Sequence, residues 1–129
     1  MGSLLDHIDL RVRDRAAATG FYDAFLALLG AVRHDGATFT TWRLPPAPDA
    51  AGDTTDNFGI TEDPAHRPGA GRIAFKASSR NAVDAIATLL PNIGAQNVEM
   101  DDGIYGDGFY GVFFEDADGN RLEVCVNTP

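Results

Sequence analysis

Hydrophobic and polar positions follow two different periods along this chain, and the same succession occurs twice. Residues 7–31 read HIDLRVRDRAAATGFYDAFLALLGA, and residues 72–95 read RIAFKASSRNAVDAIATLLPNIGA. When the two segments are aligned, Ile8 matches Ile73 and Arg11 matches Lys76. Each copy begins with the alternation that is typical of a strand and then changes to the spacing of an amphipathic helix. The sequence therefore predicts a duplicated strand–helix unit.

Capping and helix-terminating residues predict where each helix begins and ends. In the first copy the strand runs near Asp6–Arg13, Asp14 is the predicted N-cap, and Gly30 suits the left-handed residue after the helix. In the second copy Ser78 or Ser79 is the predicted cap, and Pro91 ends the regular helix. The expected apolar stripes consist of Phe21, Phe25, Leu28 and Leu29 in the first helix and Val83, Ile86, Leu89 and Leu90 in the second.

Strand patterns follow each helix, and Asp118-Gly119 predicts a hairpin between the last two. These strands are Ala31–Arg33, Ala37–Leu44, Asp56–Glu62, Gln96–Met100, Gly108–Glu115 and Arg121–Asn127. The expected fold is α+β, with two βαβββ modules at about 4–62 and 71–127 within a single domain, 1–129. Mixed, mostly antiparallel sheets carry helices on their outer faces, and their uncovered faces are predicted to form a U-shaped cleft.

Alternation along the strands predicts which side chains face that cleft. The set consists of His7, Asp9, Arg11, Arg72, Ala74, Lys76, Arg121, Glu123 and Cys125. Aromatic residues Trp42, Tyr105 and Tyr110 are further candidates for lining a ligand pocket. His34 and His66 fall in predicted loops.

Composition and charge limit the classes of binding partner that are expected. The 129 residues carry a formal charge of −9, which makes nucleic acid or an anionic membrane an improbable partner. With Cys125 as the only cysteine, no internal disulfide forms. No apolar stretch is long enough to span a membrane, and the opening MGSLLDH lacks the features of a signal peptide. The expected location is the cytoplasm.

Two short motifs do not carry the chemistry that they suggest. GDGFYG (106–111) matches a nucleotide-binding string but leads into an apolar strand rather than a helix, so nucleotide binding is rejected. DADGNRLE (116–123) lacks the Gly and Glu spacing of a calcium loop, and its Asp and Gly residues are better explained as turn formers. His7 and Glu123 remain, and an imidazole and a carboxylate are suitable ligands for Zn, Fe, Mn or Ni.

Three segments resemble the vicinal oxygen chelate superfamily, which includes glyoxalases, extradiol dioxygenases and fosfomycin- and bleomycin-resistance proteins. These are LLDHIDLRVRDRAAATGFY, IAFKASSRNAVDAI and FYGVFFEDADGNRLEV, and the likeness covers essentially the whole chain. The resemblance implies paired βαβββ modules with a metal site between them, and a homodimer. It assigns ligand positions to His7 and Glu123, whereas the usual second histidine position is occupied here by Arg72, and a fourth position falls on Gly59.

Arginine stays protonated and cannot coordinate a cation, so the predicted metal site is degenerate. Arg72 is expected to pair with Glu123 through a bidentate contact instead. The predicted function is metal-free binding of a small molecule, with no cofactor. The alternatives are a metal-dependent lyase or dioxygenase that recruits a ligand such as His66, and a metal-independent enzyme that uses Arg72. The negative total charge favours a cationic ligand, whereas Arg11, Arg72 and Lys76 favour an anionic or carbonyl-bearing one.

Overall fold

The computed structural model describes residues 4–45, 57–101 and 108–127, and its chain divides into two compact units. The first unit is Met1–His66 and the second is Arg67–Pro129. Their boundary falls within the Pro- and Gly-containing segment that follows the first predicted module. Within the described residues, no helix combines the length and the hydropathy needed to cross a lipid bilayer.

Each unit contains one helix and four strands in the same order. The first unit has β1 (His7–Val12), α1 (Arg15–Leu28), β2 (Val32–Asp35), β3 (Phe39–Arg43) and β4 (Asn57–Glu62). The second has β5 (Arg72–Lys76), α2 (Arg80–Leu89), β6 (Gln96–Asp101), β7 (Phe109–Glu115) and β8 (Arg121–Asn127). A short 3₁₀ turn, Leu90–Ile93, follows α2 and contains Pro91, which confirms the predicted end of the regular helix.

The two sheets share one topology. Sheet one has the strand order β1-β4-β3-β2, and sheet two has the order β5-β8-β7-β6. In each sheet the first strand pairs in parallel with the last, and the other two pairings are antiparallel. The predicted α+β fold of two βαβββ modules with mixed, mostly antiparallel sheets is confirmed.

Local capping explains why both helices begin where the sequence predicts. The Asp14 carboxylate accepts the backbone amide hydrogen of Ala17 at 3.1 Å, and Ser79 Oγ accepts that of Ala82 at 3.1 Å. Each cap satisfies an amide that has no partner within the helix. Gly30 follows α1 with φ of 84°, in the left-handed region that glycine tolerates. The predicted caps are confirmed, with Ser79 chosen over Ser78.

The core of each unit lies between its helix and one face of its sheet. In unit one, Phe25 and Leu26 of α1 are fully buried, whereas Leu28 is 53% exposed, so the predicted stripe fails at that residue. In unit two, Val83 and Ile86 of α2 are fully buried. The buried strand residues on the helix sides are Val12, Trp42, Phe58 and Ile60 in sheet one and Phe75, Val112, Phe114, Leu122, Val124 and Val126 in sheet two.

Candidate functional site

Strand register shows which residues of the two sheets are equivalent. His7 pairs with Asn57 at the start of β1–β4, and Arg72 pairs with Arg121 at the start of β5–β8. Two residues further along, Gly59 stands opposite Asp9 on β1, as Glu123 stands opposite Ala74 on β5. Arg72 is therefore the structural counterpart of His7, and Gly59 is the counterpart of Glu123.

The open face of sheet one, opposite α1, carries the predicted residues of β1. The His7 ring Nδ1 lies 2.8 Å from the Asp6 carboxylate, and both side chains are exposed. The Asp9 carboxylate accepts a hydrogen bond from the Thr61 hydroxyl at 2.7 Å and forms an ion pair with Arg11 at 3.2 Å. Asp9 thus offsets the positive charge of Arg11, and this pair adds no net charge to the face.

A groove of about 760 Å³ lies on this open face. Such a volume is typical of sites for small organic molecules. Its centre is a row of register partners in which Gly59 stands between Asp9 of β1 and Thr41 of β3, and Thr41 in turn faces His34 of β2. The lining residues are Asp6, His7, Ile8, Asp9, Val32, Arg33, His34, Phe39, Thr41, Arg43, Asn57, Gly59 and Thr61.

Gly59 gives the groove its depth. A Cβ atom at this position would lie 3.2 Å from Thr41 Cγ2 and 3.4 Å from the Thr40 carbonyl oxygen. A side chain would also project onto the open face, where the counterpart in sheet two is Glu123. The missing side chain therefore leaves space that sheet two does not have.

His34 lies on β2 and lines the groove, so its assignment to a loop was wrong. The observed strand begins one residue later and extends two residues further than the predicted Ala31–Arg33. His66 lies outside the helices and strands, where its backbone amide donates to Asp63 at 2.9 Å and its carbonyl accepts from Arg13 at 2.8 Å.

The open face of sheet two is organised around Arg72. Its guanidinium lies over the Phe113 ring, with Cζ 4.5 Å from the ring centroid, which is the geometry of a cation–π contact. Phe113 is the β7 register partner of Glu123. In the described part of the chain no ion pair within 4.0 Å joins Arg72 to Glu123, so the predicted bidentate contact is absent.

Glu123 is an enclosed residue, only 7% exposed. Burial raises the pKa of its carboxyl group above the ordinary value, a hydrogen bond with Cys125 and the charge of Arg72 oppose that shift, and Asp101 reinforces it. Burial also raises the pKa of the Cys125 thiol to about 11, with Glu123 contributing through its charge and through the hydrogen bond. Such a thiol is a poor nucleophile at neutral pH.

Trp42 does not line a pocket. It is fully buried on the helix side of sheet one, where its ring packs against Tyr22 and Phe58. Its indole Nε1 donates to the Asp23 carboxylate at 3.0 Å. Trp42 is therefore a core residue, because it alternates with Thr41 and Arg43, which face the groove.

Tyr110 also faces α2 rather than the open face. Its hydroxyl donates to the Asp84 carboxylate at 2.5 Å, and Arg80 Cζ lies 4.9 Å from its ring centroid. It shares the parity of Val112 and Phe114, which are buried against the helix. Tyr110, which was predicted to contact the ligand, therefore lies on the helix side of its sheet rather than on the open face. Tyr105 lies outside the described residues.

The donors present do not match the metal ligand set that the family resemblance implies. His7 lies in the first unit and Glu123 in the second, the third position carries Arg72, and the fourth is Gly59. Across residues 4–45, 57–101 and 108–127, no group of three or more His, Cys, Asp or Glu side chains is arranged to hold a metal ion. A guanidinium has no lone pair to offer a cation.

The open-face residues that were not predicted from the sequence include His34, Arg43, Asn57 and Phe113. Alternation outward from Trp42 would have found Arg43, since adjacent strand residues face opposite sides. The Asp118-Gly119 hairpin would have placed Phe113 opposite Glu123 by register. No local signal extended β2 as far as His34.

Comparison with known proteins identifies relatives of this fold. No protein-family model and no curated protein matches the sequence. Solved structures do match. A glyoxalase/bleomycin resistance protein from Albidiferax ferrireducens shares 25% identity at a TM-score of 0.79, over 97% of this chain and 100% of that one.

Two further structures show the same fold at lower identity. The fosfomycin resistance protein FosX from Listeria monocytogenes is 21% identical at a TM-score of 0.71, over 99% of this chain and 96% of that one. A glyoxalase/dioxygenase from Nostoc punctiforme is 19% identical at a TM-score of 0.66, over 97% and 91%. Together with the duplicated βαβββ topology, these matches show that the chain has the fold of the vicinal oxygen chelate superfamily, the group of glyoxalase, bleomycin resistance and dioxygenase proteins.

Proposed function

We propose that the protein binds a small organic molecule and that no metal ion takes part in the binding. The observation that carries this proposal is the position of Arg72. It is the register counterpart of His7, and its guanidinium lies over Phe113. Arginine donates hydrogen bonds, accepts none and repels cations, so a position that the family resemblance assigns to a metal ligand supplies positive charge here.

The groove on the open face of sheet one is the proposed binding volume. It combines exposed apolar surface at Val32 and Phe39 with polar groups at His34, Arg43 and Asn57. Apolar walls with a few convergent polar groups are typical of ligand sites. Burial of the ligand against Phe39 would supply affinity, and the polar groups would orient it.

A second candidate is a metal-dependent lyase or dioxygenase acting on a substrate with two vicinal oxygens. It is favoured by a complex of a FosX variant with Mn(II) and 1S,2S-dihydroxypropylphosphonic acid, in which a protein of this fold holds both a metal and a small phosphonic acid. In this chain the second candidate requires a replacement ligand such as His66. The first candidate requires none, and we therefore favour it.

A ligand screen in the presence of a chelator tests the first candidate. Small carboxylic acids, phosphonates, amines and neutral aromatics are screened by thermal shift, and hits are verified by native mass spectrometry. We expect hits that raise the melting temperature with chelator present, since binding to the native state alone stabilises it. If every hit requires an added divalent metal, the metal-dependent candidate replaces this proposal.

A variant that fills the groove tests whether the ligands found in the screen bind there. Thr41→Trp places a large ring on the groove floor and should weaken ligand binding at least about tenfold, because the indole occupies the space. The matched control is Thr88→Trp, on the exposed surface of α2 in the other unit. Equal losses in both variants would contradict binding in the groove.

A further inference from the structure

We propose that the ligand in the groove carries an oxyanion, a carboxylate, phosphonate or phosphate group, and that Arg43 is its main anchor, assisted by His34 and Asn57. This inference rests on the proposed function and specifies the chemical class of the ligand. It concerns the open face of sheet one alone and does not depend on Arg72.

Two of the anchor residues, Arg43 and Asn57, are register partners at one end of the groove, and His34 lies in the adjacent central row. Arg43 of β3 pairs with Asn57 of β4 on one side and with Val32 of β2 on the other. His34 of β2 lies two residues beyond Val32 on the same face. Neighbouring strands are about 4.8 Å apart, so side chains at these positions reach one ligand group.

In the described part of the chain, the polar atoms of these side chains have no side-chain partner that a ligand would have to displace. Among the described residues, none accepts or donates a side-chain hydrogen bond or an ion pair with Arg43, His34 or Asn57. Other charged groups of the groove are already engaged. Asp9 is held by Arg11 and Thr61, and the Arg33 guanidinium is bound to Asp35 at 2.8 and 3.0 Å.

The groove's charge pattern orients an anion toward Arg43. Its two carboxylates, Asp6 and Asp9, lie at the β1 edge, where His7, Arg11 and Thr61 contact them. Arg43 lies two strands away, on β3. A guanidinium binds two oxygens of a carboxylate or phosphonate at once, and an imidazole and an amide each add a donor. The anionic end of the ligand therefore belongs at the β3–β2 side of the groove.

The remainder of the ligand is expected to be apolar and flat. Phe39 and Val32 are 44% and 65% exposed, and both line the groove. Gly59 has no side chain and Thr41 has a small one, so no bulky group at these two positions fills the middle of the groove. An aromatic or short aliphatic acid fits this division between an apolar wall and a cationic end.

Matched probes test the proposal on the full-length protein. Benzoate and phenylphosphonate are titrated beside neutral benzamide, with binding measured by calorimetry and mapped by amide chemical shifts. We expect both acids to bind at least about tenfold more tightly than benzamide, as expected for charge-assisted hydrogen bonds. Arg43→Met should remove that preference, and Arg43→Lys should retain part of it because the charge persists without the planar fork.

Arg67→Met is the matched control, since it removes the same charge from an exposed arginine outside the groove. It should change acid binding by less than about twofold, because long-range charge is screened by salt. Equal losses in Arg43→Met and Arg67→Met would overturn the proposal. Benzamide binding as tightly as benzoate would overturn it as well, but would leave small-molecule binding intact. A requirement for added metal would instead overturn the proposed function itself.

Discussion

The guanidinium of Arg72 lies 4.5 Å from the centre of the ring of Phe113, which is the register partner of Glu123. This stacking keeps the arginine on the open face of sheet two without an ion pair to Glu123 in the described structure. The position that the family resemblance assigns to a metal ligand thus carries a guanidinium that lies over an aromatic ring. The contact also accounts for the failure of the predicted bidentate pair.

A double-mutant cycle measures this contact. Arg72→Met and Phe113→Leu, alone and together, should show a coupling of about 0.5–1 kcal/mol in the free energy of unfolding, since both side chains are partly exposed. Urea denaturation gives the four values. The control cycle combines Phe113→Leu with Arg121→Met instead of Arg72→Met. Arg121 is the neighbour of Arg72 on β8, and it makes no ring contact among the described residues. Equal coupling in both cycles would show that the stacking contributes nothing specific.

Trp42→Phe tests the assignment of Trp42 to the core. The substitution removes the hydrogen bond to Asp23 and leaves part of the indole volume empty, so we expect a loss of about 2 kcal/mol in stability. Ligand affinity in the groove should not change. Phe39→Leu is the contrasting variant. Because Phe39 faces the groove, this substitution should weaken the binding of aromatic ligands and have little effect on the free energy of unfolding. If Trp42→Phe weakened ligand binding and left stability unchanged, Trp42 would be a ligand-contacting residue and not a core residue.

The turn between β7 and β8 depends on the left-handed conformation of Gly119, whose φ is 93°. Gly119→Ala should lower the free energy of unfolding by about 1 kcal/mol. The cause is conformational rather than steric, because the nearest atom to a Cβ at this position would be Pro68 Cγ at 3.6 Å, an ordinary contact. Gly69→Ala is the control, since its Cβ would meet no atom within 4 Å and its φ lies outside the left-handed region. If both variants lose equal stability, the left-handed turn is not the reason.

Cys125 should react slowly with iodoacetamide at neutral pH. Burial and Glu123 raise its pKa to about 11, so the thiolate fraction is small and should grow about tenfold per pH unit until that value is approached. An ordinary thiol, by contrast, levels off above about pH 9. Glu123→Gln removes a negative charge beside the sulfur, lowers its pKa and should speed alkylation at pH 8. A rate that is independent of pH between 8 and 10, or unchanged in Glu123→Gln, would contradict this account.

The fold was predictable because local and tertiary signals agree. Asp14, Ser79 and Gly30 fix helix ends through backbone geometry, and the duplicated strand–helix pattern gives the topology without further information. The counterpart relationship between His7 and Arg72 also followed from the sequence, because the repeat alignment and the sheet register coincide.

The candidate site was less predictable because it depends on which face of a strand a residue occupies. Trp42 and Tyr110 were selected for being aromatic, yet both lie on the helix side of their sheets. Arg43 was overlooked although it follows Trp42 directly. The contact between Arg72 of β5 and Phe113 of β7 joins strands that are far apart in sequence, and the two residues come together only through the pairing of both strands with β8.

Divalent metal binding tests the central claim most directly. The purified protein is stripped with a chelator, dialysed against Zn²⁺, Mn²⁺, Ni²⁺ or Fe²⁺, and analysed for bound metal alongside His7→Ala and Glu123→Gln. We predict far less than one metal ion per chain in the wild type, no change in metal content in either variant, and no decrease in melting temperature on chelation. Stoichiometric metal in the wild type that is lost in both variants would contradict it.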